Sequence, residues 1–132
     1  MKLSHIFESV LNEYISGQGL KSIEDYLDEL FKSLNIDIEF SAHFLDRIND
    51  PRNRKEIEAE EIIDTFSRLY KKHGQGLTHY SKEAEAVVVN LNNDINVPFV
   101  IRVDKKRNEI QLISKTIMRK RNFSTSNRIY KV

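Results

Sequence analysis

The hydrophobic period of this chain changes once, near residue 80, and that switch limits its possible folds more than any other feature. Upstream, apolar residues recur at helical spacing; downstream, they fall in extended, β-branched runs. Leu3, Ile6, Phe7, Val10, Leu11 and Tyr14 share one face of a helix over 3–15. Ser16-Gly17-Gln18-Gly19 breaks that pattern. A second helix is expected after Ser22, burying Ile23, Tyr26, Leu27, Leu30, Phe31 and Leu34. Ile36–Phe40 alternates like a short strand, and Ser41 is placed to cap a third helix with Phe44, Leu45 and Ile48 inward. Asn49–Arg54 is turn chemistry around Pro51. A fourth helix near Glu58–Lys72 opens on acids that suit the helix dipole. It meets Gly74 where a C-terminal glycine cap belongs.

Downstream, Glu85–Leu91, Val97–Val103 and Glu109–Met118 have the spacing of three strands, the last two joined by a hairpin loop over 104–108. Pro98 predicts that the middle run starts there or lies at an edge. Residues 119–132 form either a tail or a last strand through Arg128–Val132. Helices first and strands afterwards predict an α+β domain. Its N-terminal helices pack on one face of a C-terminal antiparallel sheet of three to four strands. With 132 residues the chain fits a single domain: a mainly helical part over 1–80, the sheet over 81–118 and a basic segment over 119–132.

Several functional classes are disfavoured. Cysteine is absent, so there is no disulfide framework and no thiolate chemistry, which suits a reducing cytoplasm. The apolar runs Ala86–Val89 and Val97–Ile101 are far too short to span a bilayer, so no membrane partner is expected. No cluster of metal ligands has matched spacing, and the glycines near 74–76 lack the lysine and hydroxyl of a phosphate-binding loop. The sequence therefore calls for no cofactor and no metal. It carries no signal of oligomeric state.

Charge is the more informative property. Residues 1–99 hold 11 Lys/Arg against 18 Asp/Glu, a balance of −7, whereas residues 100–132 hold 10 against 2, a balance of +8. A segregated positive field attracts a polyanion even when the total is only +1. Lys115, Arg119, Lys120 and Arg121 precede Phe123 in that segment, with Arg102 and the hairpin cations Lys105, Lys106 and Arg107 extending it. Cations neutralise phosphates and an aromatic ring stacks on unpaired bases, so these nine residues form a candidate nucleic-acid footprint. The competing expectation is that the basic end pairs internally with the acidic helices while Phe123 joins the core.

His43 and Arg47 stand four apart on the third helix and project from one side of it. An imidazole moves a proton near neutral pH, and a guanidinium holds a phosphate anion. The alternative is structural, with His43 bonding a carbonyl and Arg47 pairing with a nearby acid. His73 and His79 flank the Gly74–Thr78 stretch, and either can supply the second proton-transfer group that phosphodiester cleavage ordinarily uses.

The string Phe40-Ser41-Ala42-His43-Phe44-Leu45-Asp46-Arg47, followed by Ile57-Glu58-Ala59-Glu60-Glu61-Ile62, resembles a signature of small metal-independent endoribonuclease domains with the RelE/barnase-like fold, in their phage-type form. The similarity covers roughly residues 38–70, and the strands match in pattern only. It implies a catalytic histidine at His43 and an assisting arginine at Arg47. The family's second histidine falls at Ser67, so His73, two turns onward, is the substitute. The Asn49–Lys55 stretch is an insertion relative to the family. Met1–Glu13 is also similar to short leaders of proteins packaged in phage heads, with Leu11-Asn12-Glu13 like a prohead-protease site; an ordinary core helix competes with that reading.

These resemblances imply a phage protein acting in the cytoplasm of the infected host. It binds RNA and cleaves it by 2′-hydroxyl attack, with His43, Arg47 and His73 catalytic. The alternative is a non-catalytic protein on the same scaffold that binds a host protein or nucleic acid, or a virion component.

Overall fold

The computed structural model describes residues 15–53 and 55–132. The helix expected over 3–15, apart from Ile15, and the Leu11-Asn12-Glu13 match lie outside the described residues. The first described helix, α1 (Gly17–Phe31), starts earlier than the pattern predicts, because Ser16 caps it with its hydroxyl oxygen accepting from the Gly19 amide at 3.0 Å. The cap, together with the burial of Leu20, offsets the helix cost of two glycines. A 3₁₀ turn (Lys32–Leu34) leads through Asn35, at φ 56°, into strand β1 (Ile36–Phe40). Helix α2 (Phe44–Ile48), a second 3₁₀ turn (Pro51–Asn53) and the long helix α3 (Ala59–Leu77) follow. No helix among the described residues is long and apolar enough to cross a membrane.

Strands β2 (Ala84–Asn90), β3 (Ile95–Asp104), β4 (Glu109–Ser114), β5 (Met118–Arg119) and β6 (Arg128–Lys131) complete a six-stranded sheet. Its order is β1-β4-β3-β2-β6, with β5 extending β4's position beside β3. The expected antiparallel sheet is present as the centre, β4-β3-β2 with β5. The two outer strands, β1 and β6, add to it in parallel, so the sheet is mixed and larger than predicted. Five residues at 36–40 and four at 128–131 are too short for alternation to reveal a partner or a direction. One core fills the space between the helices and the sheet, uniting Ile23, Leu27 and Phe31 of α1 with Phe66 and Leu69 of α3. Ile38, Val88, Phe99, Ile101 and Leu112 meet them from the strands.

Both sheet edges are closed by helix side chains, which blocks strand addition. The outward amides of β1 donate to carboxylates of α1: Ile38 N–H to Asp28 at 2.7 Å and Phe40 N–H to Glu24 at 3.1 Å. At the other edge, His73 Nε2 lies 3.0 Å from the Lys131 carbonyl of β6 and its ring packs edge-on against Tyr130. Burial, opposed by the Ile38 amide and reinforced by Asp37 and Glu24, pushes the Asp28 carboxyl up to about 7. Because the folded value lies above the unfolded one, this stability is full below the ordinary Asp range. It is lost as pH rises through about 7. Asp28→Asn keeps an acceptor for Ile38 and removes the charge. Its Tm is therefore expected to gain on the parent by a few degrees, roughly, between pH 5 and pH 8. Parallel Tm curves for the two proteins across that range would count against this account.

Two punctuating residues act differently from their sequence expectation. Gly74 does not end a helix; α3 runs on to Leu77, and a Cβ at Gly74 would sit 2.9 Å from Leu34 Cδ1. The glycine serves a close approach, and His73 is consequently a helical residue aimed at β6. Pro98 is inside β3, opposite Val87 of β2, in a strand that has neighbours along both its sides. Its carbonyl accepts from Lys115 N–H at 3.1 Å, on the side where β4 has ended and β5 has not yet begun. A strand residue's N and O point the same way, so the missing amide proton faces that gap and no bond to β2 is lost.

Candidate functional site

The break between β4 and β5 beside Pro98 forms one wall of a cleft of about 1050 Å³. Lys115, Thr116, Ile117, Met118, Arg119, Lys120 and Arg121 line this side, and His43, Arg47, Asp50, Arg52 and Asn53 line the other, with Asp94 at one end. Two bonds from Ser41 join the walls: its amide donates to the Ser114 carbonyl (2.9 Å) and its hydroxyl to the Lys115 carbonyl (2.8 Å). The expected cap of α2 by the Ser41 side chain is thus replaced by a tie to the sheet.

Helix α2 is held by its buried side. Phe44 and Ile48 are fully enclosed, and Phe44 stacks on Phe40 with ring centres 4.5 Å apart. His43 and Arg47 therefore share the exposed face and enter the cleft together. Beyond the helix, the buried Asn53 side chain donates to the carbonyls of Arg47 (2.8 Å) and Ile48 (3.3 Å). It accepts the Arg119 amide at 3.1 Å. One amide group thus satisfies the end of α2 and fixes it to β5. Asp50, Arg52 and Asn53 build this wall.

Arg119 has a different part from the one its charge suggests. Its guanidinium forms a two-pronged bond to Glu61 at 2.7 and 3.0 Å, with side chains only 13% and 14% exposed. It also donates to the carbonyls of Asn93 (2.8 Å), Glu56 (2.9 Å) and Lys55 (3.4 Å). Burial alone would raise the Glu61 carboxyl, but the Arg119 hydrogen bonds and the Glu58 amide bring it below the usual range. Arg119 clamps the start of α3, the β2–β3 turn and β5, so it shapes the cleft more than it offers itself to a ligand.

Six cations and His43 line the cleft against two acids, Asp50 and Asp94. Each acid engages neighbours: Asp50 contacts Arg52 at 2.7 Å and Arg47 at 3.6 Å, and Asp94, at φ 60°, lies 3.6 Å from Arg121. Lys115 reaches Glu85 at 3.4 Å, and Lys120 has no ion pair among the described residues. The expected pairing with an acidic helix is seen for Arg119 with Glu61, whereas Arg102 pairs with Glu83 and Arg107 with Asp104, both outside the helices. The Arg102, Lys115 and Arg121 pairs are exposed and hold their cations only weakly.

Of the residues singled out from the sequence, the cleft gathers His43, Arg47, Lys115, Arg119, Lys120 and Arg121. It leaves out His73, which pins β6, and His79, exposed just past the end of α3. Arg102 lies elsewhere on β3, Lys105, Lys106 and Arg107 sit at the far end of β4, and Phe123 is half-buried off the lining. Arg52, Asn53 and Asp94 are not among the sequence candidates, and Asp50 is the nearby acid expected to pair with Arg47. The basic character of Arg52-Asn53-Arg54 beside Pro51 was the signal available for the first two. Glu24, Asp25 and Asp28 are the described acids close enough together to hold a cation, but they lie along α1 away from the cleft lining. Compared with known proteins, the chain matches no family model, no curated protein and no solved structure.

Proposed function

We propose that this chain is an RNA-binding protein that takes the phosphodiester backbone into the cleft and cleaves it at His43, as a phage-type member of the RelE/barnase-like ribonucleases. The observation that carries the proposal is the meeting of an exposed imidazole with Arg47, Arg52, Lys115 and Lys120 in one groove. Among the described residues no phenylalanine or tyrosine lines that groove, so the sugar-phosphate chain is the recognised feature, and base identity contributes little. In the proposed reaction, the 2′-oxygen attacks phosphorus while its proton passes to His43. The bond from phosphorus to the 5′-oxygen breaks, the leaving oxygen takes a proton from solvent, and a 2′,3′-cyclic phosphate remains. Arg47 and Lys115 stabilise the charge on the pentavalent phosphorus.

A second reading, binding without cleavage, is favoured by one specific observation: among the described residues, His43 is the sole histidine of the cleft, and His73 is committed to β6. Incubating end-labelled RNA in excess EDTA separates the two. Products ending in a cyclic phosphate, absent when the substrate is DNA, establish the enzyme. Binding without product establishes the module. If about four phosphates are neutralised, log K should fall with log salt at a slope near −3. Salt-insensitive binding, or none, overturns both readings.

A further inference from the structure

Asp50 is, of the two acids on the cleft, the one bonded to an arginine at short range, and neither binding nor cleavage explains it. A site for a polyanion gains nothing from a carboxylate on its lining, yet this one is built in firmly. Its Oδ1 accepts the Arg52 amide at 2.9 Å, and the Arg52 guanidinium approaches both oxygens at 2.7–3.2 Å. Arg47, one helical turn before it, reaches Oδ2 at 3.6 Å. The same anionic group thus faces two of the arginines that the proposed function assigns to phosphate.

We propose that Asp50 occupies the place of a substrate phosphate in the free protein and holds Arg47 and Arg52 until a polyanion displaces it. The inference rests on the reading of the cleft as a phosphate-binding groove and assigns Asp50 the control of its affinity. A planar carboxylate and a phosphate offer the same pair of acceptors to a guanidinium, so Arg52 is kept in its binding geometry while Arg47 is held near one oxygen. Hydrogen bonds from the Arg52 side chain and amide hold the Asp50 carboxyl down at about 2, so the competitor stays charged at every working pH. A lone phosphate gains little by exchanging with it. A strand that also contacts Lys115 and Lys120 across the groove has further bonds to offer, so Asp50 selects chains over single phosphates.

Asp50→Asn isolates this role, because an asparagine oxygen still accepts the Arg52 amide and keeps the turn while the charge is gone. The probe is a 12-nucleotide poly(U) oligomer, bound to the parent, Asp50→Asn and Arg47→Ala at two salt concentrations, with thermal melts as a control. The expected result is roughly three- to tenfold tighter binding by Asp50→Asn, weaker binding by Arg47→Ala and unchanged melting of the former. Unchanged or weaker binding by Asp50→Asn, with Arg47→Ala still weakened, overturns the competitor and leaves the groove standing. Indifference of the oligomer to both substitutions removes the groove reading itself, and the competitor with it.

Discussion

His43→Ala is expected to lower the rate of RNA cleavage by about 10²- to 10⁴-fold, the usual contribution of a positioned acid or base. Binding of the oligomer should change little, because the cations that hold the backbone belong to other residues. Thermal stability should also be retained, since the imidazole is exposed and its position at the head of α2 makes no side-chain cap. That combination identifies a residue in contact with the reacting atoms. A variant with full activity would remove His43 from the chemistry; a variant with lost stability would mean that α2 had moved. His73→Ala gives the contrast: its expected effect is on the β6 edge and on melting, with the cleavage rate kept.

The second large effect is structural. Arg119→Ala leaves Glu61 as a nearly buried carboxylate without its partner and frees three backbone carbonyls. Breaking such a pair from one side costs about 3–5 kcal/mol, which for a chain of this size lowers Tm by roughly 10–20 °C. Glu61 also accepts the Glu58 amide at 3.1 Å at the start of α3, so the damage reaches the helix end. Replacing both residues by apolar ones should cost less than Arg119→Ala alone, because no orphaned charge remains. The pH dependence has a definite sign. The Glu61 carboxyl is held below its unfolded value, so the pair's stability is present above the ordinary Glu range and lost as pH falls through the folded value. The gap between parent and Arg119→Ala should therefore narrow in acid. An equal gap at pH 7 and pH 3 would contradict the assignment.

Arg119 also shows where a sequence stops informing. In the list of residues it is one more cation in a basic run, equal to Lys120 beside it. In the structure it is nearly enclosed and paired, whereas Lys120 is exposed. Nothing local separates them, since the partner lies 58 positions away in α3. Gly74 and Pro98 make the same point. Local rules give each its commonest role, a helix end and a strand edge, but each is explained by a neighbour remote in sequence. For Gly74 that neighbour is Leu34; for Pro98 it is the gap between β4 and β5. His73 follows from the first of these, because a helix continuing through Gly74 turns that ring toward β6.

By itself the sequence determined the class of the fold and the pairing of His43 with Arg47. Both depend on intervals of a few residues: 3.6 along helices, 2 along strands, 4 between two side chains on one helical face. Tertiary structure alone decided which cations share a groove, which acid encloses Arg119, and how the short outer strands run. Those are settled by contacts across dozens of positions, where burial and complementary charge select the partner and local spacing has no influence.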